Sequence, residues 1–172
     1  MAKSSSPIPK GYNAVNPYLR IKGAADAIAF YKKAFGATER YRLPMGDRLG
    51  HAEIDIGGTT VMLSDEFPDH GAVGPATLKG TSVVLSLYVA DADATFKKAV
   101  AAGAKVRRPL TDEFYGDRTG QVEDPFGHVW MIAQRIEDVP PKEMQKRLDA
   151  MMAGGSEAAA KVAAKPKAKK KK

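Results

Sequence analysis

The chain repeats itself at long range, and that constrains its fold more than any local motif. Tyr31-Lys32-Lys33-Ala34-Phe35-Gly36-Ala37 returns as Phe96-Lys97-Lys98-Ala99-Val100, reaching Gly103-Ala104 after a two-residue insertion. Gly58-Thr59-Thr60-Val61-Met62-Leu63 returns 69 residues later as Gly127-His128-Val129-Trp130-Met131-Ile132. Each copy must be one structural unit, and two copies are too few for a solenoid, which needs about three. A pseudo-twofold body with its functional cleft between the halves is the expectation.

Local patterns give each copy the same order of elements. Asn16 to Ile21 reads as a strand, and Ala24 to Phe35 as a helix with Ile28, Tyr31 and Phe35 on one face and Gly36 as its stop. Three strands follow: Thr38 to Leu43, Gly50 to Ile56, and Thr59 to Ser64 after the Gly57-Gly58 hairpin signal. Asp65 to Gly80, with Pro68, Gly71, Gly74 and Pro75, reads as a connection. The second copy has a strand Ser82 to Val89, a helix capped by Asp91 or Asp93 and ended by Gly103, then strands at 105–110, 116–123 and 128–134. The fold class is therefore α+β, two tandem βαβββ modules (13–66 and 81–139) whose cupped mixed sheets each carry a helix on one face and leave the other for a cleft.

Outside the modules, residues 1–12 form a polar, proline-bearing leader, mobile or strapped across the surface. Residues 140–153 read as an amphipathic helix with Met144, Leu148 and Met151 at helical spacing. Residues 154–172 are alanine- and lysine-rich, too poor in apolar surface to offset chain entropy, and disorder is expected there. All but one of the chain's net +7 charges sits in this tail. The tail suits weak, salt-sensitive contact with nucleic acid, but lacks aromatics for base stacking; a solubilising extension is the alternative. Absence of cysteine excludes disulfides, thiolate metal sites and a thiol nucleophile. No apolar run approaches the roughly 18 residues of a membrane span, and a cytoplasmic protein is expected.

The helix text "DAIAFYKKAFGA", "GHAEIDIGGTTVMLSDEFP" at 50–68 and "FYGDRTGQVEDPFGHVW" at 114–130 resemble the vicinal-oxygen-chelate superfamily, in its glyoxalase/bleomycin-resistance, PhnB-like branch. The resemblance runs from about Asn13 to Val139 and implies paired βαβββ modules, a homodimer, a small-molecule ligand and often a divalent metal in the cup. Registered on the family's strands, the metal-ligand positions here hold Asn16, Met62, Val84 and Met131. An amide, two thioethers and an aliphatic group are poor partners for zinc, nickel or iron, so no metal cofactor is expected.

Strand alternation assigns the cup. Asn16, Tyr18, Arg20, Met62, Ser86, Tyr88 and Met131 are expected to line a ligand site, and the resemblance implies that the string carrying Tyr115 and Arg118 forms its rim. Arg20 occupies a place where glyoxalase-type relatives meet an anionic substrate; it either contacts an anion or pairs with Glu53 or Asp55. Arg118 is either a second anion contact or an ion pair with Asp117, Glu123 or Asp124. His51, Glu53 and Asp55 share one strand face. They support acid–base catalysis through His51 and Glu53, or a displaced metal, or simply a solvated polar face. His128 and Trp130 lie opposite Met131 and are expected to pack rather than touch ligand. The leading functional expectation is a small-molecule-binding protein without the family's metal, taking an anionic or aromatic ligand. A lyase or isomerase using His51 and Glu53 is the alternative, and a nucleic-acid-associated protein acting through the tail is a second.

Overall fold

The computed structural model describes residues 6–163. The chain divides into a larger compact unit, up to residue 111 together with 118–134, and a smaller one made of 112–117 and the chain from 135 onward.

The element order is β1 (Tyr18–Ile21), α1 (Ala24–Phe35), β2 (Thr38–Met45), β3 (Arg48–Ile56), β4 (Thr59–Asp65), a short α2 (Pro75–Leu78), β5 (Val84–Tyr88), α3 (Ala92–Ala101), β6 (Lys105–Asp112), β7 (Asp117–Glu123), β8 (Val129–Arg135) and α4 (Pro141–Ala163). The strands form two four-stranded sheets, ordered β1-β4-β3-β2 and β5-β8-β7-β6. In each, the first strand runs parallel to the last, Tyr18 beside Met62 and Ser86 beside Met131. The α+β class and the duplicated βαβββ order follow the sequence expectation.

Alternation explains the faces. Leu19, Ile21, Ala52, Ile54, Val61 and Leu63 are buried beneath α1, which turns Ala24, Ala27, Ile28 and Tyr31 onto them. The hairpin between β3 and β4 uses Gly57 and Gly58, both at positive φ, as the favoured two-residue turn requires.

The two modules share a core. Phe35 and Tyr31 of α1 pack on Trp130 of β8 with ring centroids 4.7 and 5.3 Å apart, and Phe30 meets Phe126 edge-on. Buried Asp124, in the turn before β8, organises this contact. Its carboxylate accepts from the Tyr31 hydroxyl (2.8 Å), Trp130 Nε1 (3.0 Å) and the amides of Phe126 and His128 (both 2.9 Å). The packing role expected for Trp130 is therefore met by the helix of the other copy.

The helices start in matching ways. Gly23 offers no side chain to cap α1, and Asp65 at the end of β4 accepts from the amides of Gly23 and Ala24, both at 2.9 Å. Sixty-nine residues on, Gln134 at the end of β8 accepts from the amide of Ala92 at 3.0 Å, while Asp91, the residue before the helix, caps the amide of Ala94. The repeat therefore preserves a hydrogen-bonding function that its residue identities conceal.

In the smaller unit, Arg147 of α4 bonds both oxygens of Glu137 (2.8 and 2.7 Å) and Arg135 pairs with Asp117 at 3.0 Å. The helix runs to Ala163 rather than stopping near 153. Alanine, glutamate and lysine after Gly154-Gly155 are strong helix formers, which offsets about 1 kcal/mol per glycine. The side chains expected to make the tail basic, and residues 164–172 altogether, lie outside the described residues, as do 1–5 of the leader. Among the described residues no helix is long and apolar enough to cross a membrane.

Candidate functional site

The open face of the first sheet carries a polar cluster built from one transverse row. Tyr41, Glu53, Met62 and Tyr18 are successive cross-strand neighbours from β2 to β1, so their side chains share a face. An irregularity in β2 between Glu39 and Tyr41 breaks strict alternation. It lets the adjacent Arg40 and Tyr41 both reach Glu53, the re-aiming that bulges allow.

Glu53 is only 1% exposed. One oxygen, Oε1, accepts from the hydroxyls of Tyr12 and Tyr41 and lies 3.3 Å from His51 Nε2. The other, Oε2, is buried without a hydrogen-bond partner, with Arg40 Nη1 at 3.8 Å. Burial pushes the Glu53 pKa up, but the bonds from Tyr12, Tyr41 and His51 and the charge of Arg40 outweigh it, and the net direction is down. Glu53 is thus an ionised carboxylate at neutral pH. Its hydrogen bond and burial hold the Tyr41 phenol far above the ordinary tyrosine range and raise that of Tyr12.

The end of the leader straps this face. Thr60 donates to the Gly11 carbonyl at 2.8 Å, Arg40 to that of Lys10 at 3.2 Å, and Arg40 lies over the Tyr12 ring at 5.2 Å. Of the two states expected for the leader, residues 10–12 take the strapped one.

Nearer the sheet edge, Tyr18 Oη lies 2.9 Å from His51 Nδ1. The Arg20 guanidinium covers the Tyr18 ring at 4.2 Å and donates to Ser64 Oγ. Arg20 pairs with neither Glu53 nor Asp55 and has no carboxylate partner among the described residues. Tyr18 and Arg20 also wall a cleft of about 450 Å³ whose other sides include Val73, Leu78, Val83 and Leu85. The connection is held against β1 by Glu66, which accepts from Gly74 N and Thr77 Oγ1. A Cβ at Gly74 would fall 2.2 Å from the Arg20 carbonyl, so only glycine permits this approach. The same carbonyl lies 3.3 Å from His128 Nε2; burial, against the opposing pull of Asp124, lowers the His128 pKa and keeps the ring neutral.

The predicted site residues therefore separate. Tyr18, Arg20, His51, Glu53 and Met62 come together. Asn16 precedes β1 and turns back on Asn13, exchanging bonds of 3.1 and 2.7 Å, which shortens the strand and removes its amide from the face. Ser86 and Tyr88 line a different hollow of about 390 Å³ beside Ile56 and Val61, while Met131 lies next to Ser86 in the second sheet. Arg118 binds both oxygens of Asp93 (2.7 and 2.8 Å), an acid that the sequence did not single out as its partner. Tyr115 lies in the smaller unit, its carbonyl accepting from Arg135. Tyr12, Arg40 and Tyr41 join this face without any signal of it in the sequence. Alternation already places Ser64 in the cup beside Arg20, whereas a bulge and a strap leave no periodic trace.

The inherited metal positions do not fit an ion. Asn16 is committed to its turn, and Met62, Val84 and Met131 supply no charged or imidazole donor. Among the described residues no three His, Cys, Asp or Glu side chains converge on a point that can hold a metal.

Residues 13–132 match the Glyoxalase/Bleomycin resistance protein/Dioxygenase superfamily, and the chain belongs to it. An uncharacterized protein of Mycobacterium bovis is 45% identical over 136 residues, spanning 77% of this chain and 90% of its own. The solved structure of an Arabidopsis thaliana gene product is 29% identical, with a TM-score of 0.58 over 71% of this chain and 98% of that one. A PhnB protein of Bacillus cereus, 17% identical with a TM-score of 0.57 over 71% of this chain and 99% of its own, shares the fold.

Proposed function

We propose that this protein binds a small anionic ligand with an apolar or aromatic body against the first sheet, with Arg20 as the anion contact. The superfamily scaffold hosts unrelated chemistries, so the proposal rests on the site rather than the fold. The observation that carries it is the state of Arg20: a partly buried guanidinium, held by an aromatic ring and a serine hydroxyl, that lacks a carboxylate partner among the described residues. Such a group is pre-oriented for a carboxylate or phosphonate, which it can meet through two parallel hydrogen bonds. The apolar side of the adjoining cleft suits a hydrocarbon or ring, and its volume falls in the range of small-molecule sites.

Calorimetric titration with phenylacetate and with neutral phenylethanol tests this. Phenylacetate is expected to bind and phenylethanol to bind more weakly. Arg20→Ala should weaken phenylacetate by about 10- to 100-fold, the loss of a charge-assisted hydrogen-bonded contact worth about 1.5–3 kcal/mol. Equal affinity of wild type and variant contradicts the proposal.

A further inference from the structure

We propose that Tyr18 is a proton-transferring catalytic residue, acting through His51 and Glu53, on carboxylates that carry an acidic C–H beside a carbonyl. This rests on the ligand-binding reading above, because Arg20 must hold the carboxylate for Tyr18 to reach the carbon.

The geometry settles which way protons point. Glu53 is ionised and can only accept, so the His51 nitrogen facing it, Nε2 at 3.3 Å, carries the ring proton. The bare Nδ1 then accepts from the Tyr18 hydroxyl at 2.9 Å. A carboxylate that orients an imidazole, which in turn draws the proton from a hydroxyl, has the logic of a catalytic triad with a phenol in the outermost place.

Accessibility assigns the reacting member. Glu53 is 1% exposed and both nitrogens of His51 are engaged, whereas Tyr18 is 39% exposed and walls the cleft. The Arg20 guanidinium, 4.2 Å from the Tyr18 ring centroid, supplies positive charge to offset that of the enolate that forms.

In the forward step, the substrate C–H proton passes to Tyr18 Oη as the Tyr18 proton passes to His51 Nδ1. The C–H electron pair moves into the carbonyl and forms an enolate. The imidazolium rests between Tyr18 and the Glu53 carboxylate. Return of a proton to oxygen gives the enol, and return to carbon gives the ketone; protons balance with no oxidant or co-reactant. The reaction class is keto–enol tautomerisation, with exchange of the carbon-bound hydrogen for solvent hydrogen.

Phenylpyruvate, an aromatic carboxylate with such hydrogens, is the probe. Full-length protein in deuterium oxide is expected to accelerate loss of its methylene signal, followed by proton NMR against a protein-free control. Tyr18→Phe should still bind phenylpyruvate by calorimetry but lose about a hundredfold or more of the exchange rate. Wild type that binds phenylpyruvate without accelerating exchange, or Tyr18→Phe that exchanges as fast as wild type, overturns the assignment of Tyr18 and leaves the ligand reading intact. Failure of wild type to bind either phenylacetate or phenylpyruvate overturns the ligand reading and the relay with it. Nitrogen NMR of His51 in the unsubstituted protein is independent of variant folding: a protonated Nε2 and a bare, hydrogen-bonded Nδ1 are expected, and the opposite tautomer overturns the relay.

Discussion

Asp124 shows how much one residue carries in this protein. It is 2% exposed and accepts four hydrogen bonds, two from aromatic side chains and two from the backbone of its own turn. Removing the carboxylate strands the Tyr31 and Trp130 donors at the shared core of the two modules. Each buried donor left unsatisfied costs about 1–3 kcal/mol, so Asp124→Ala should destabilise by roughly 3 kcal/mol or more in urea unfolding. Arg20→Ala should barely move the same curve, since its contacts are one aromatic ring and one hydroxyl. That contrast separates residues that build the fold from those proposed to face a ligand.

At the scale of elements, the starts of α1 and α3 are the informative pair. Asp65 satisfies two amides at the start of α1 and, through Oδ2, the amide of Leu49 at 2.7 Å. A carboxylate there also meets the positive end of the helix dipole. Gln134 does the corresponding task for α3 with one neutral bond, and Asp91 shares it. Asp65→Ala is therefore expected to cost about 2–3 kcal/mol and Gln134→Ala about 1 kcal/mol or less by equilibrium denaturation. Periodicity made the strands and helices legible, because burial on one face leaves a period of 2 or 3.6 in the sequence. It did not reveal these tertiary caps. The candidate face was half legible for the same reason: Tyr18, Arg20, His51 and Glu53 obey alternation, whereas Arg40 and Tyr41 reach it through a break in that alternation, and Tyr12 arrives from a strap with no period. Asn16 misled because a local Asn13–Asn16 turn outcompeted the strand.

For the whole molecule, duplication produced asymmetry. The sheets share topology, yet the first gathers Tyr12, Tyr18, Tyr41, His51, Glu53 and two arginines on one face, while Arg118 of the second is tied to Asp93. The buried groups also set a pH dependence. His128 has a depressed folded pKa, so the unfolded chain, near 6.5, binds its proton more readily. Stability from this group is fully present above about pH 6.5 and is lost as pH falls toward the folded value. Glu53, also depressed, adds stability above its unfolded value near 4.5 and loses it as pH falls through the folded one. The melting temperature should therefore decline in two stages on acidification. His128→Gln should flatten the upper stage and leave the lower.

The central claim is that Arg20 receives the anion, and side-chain NMR of the arginines during a phenylacetate titration tests it most directly. The Nε–H resonance of Arg20 is expected to shift saturably, with the Tyr18 and His51 rings following, while that of Arg147, bound to Glu137, stays still. Saturable shifts confined to the second sheet around Ser86 and Tyr88, with Arg20 unmoved, contradict the account.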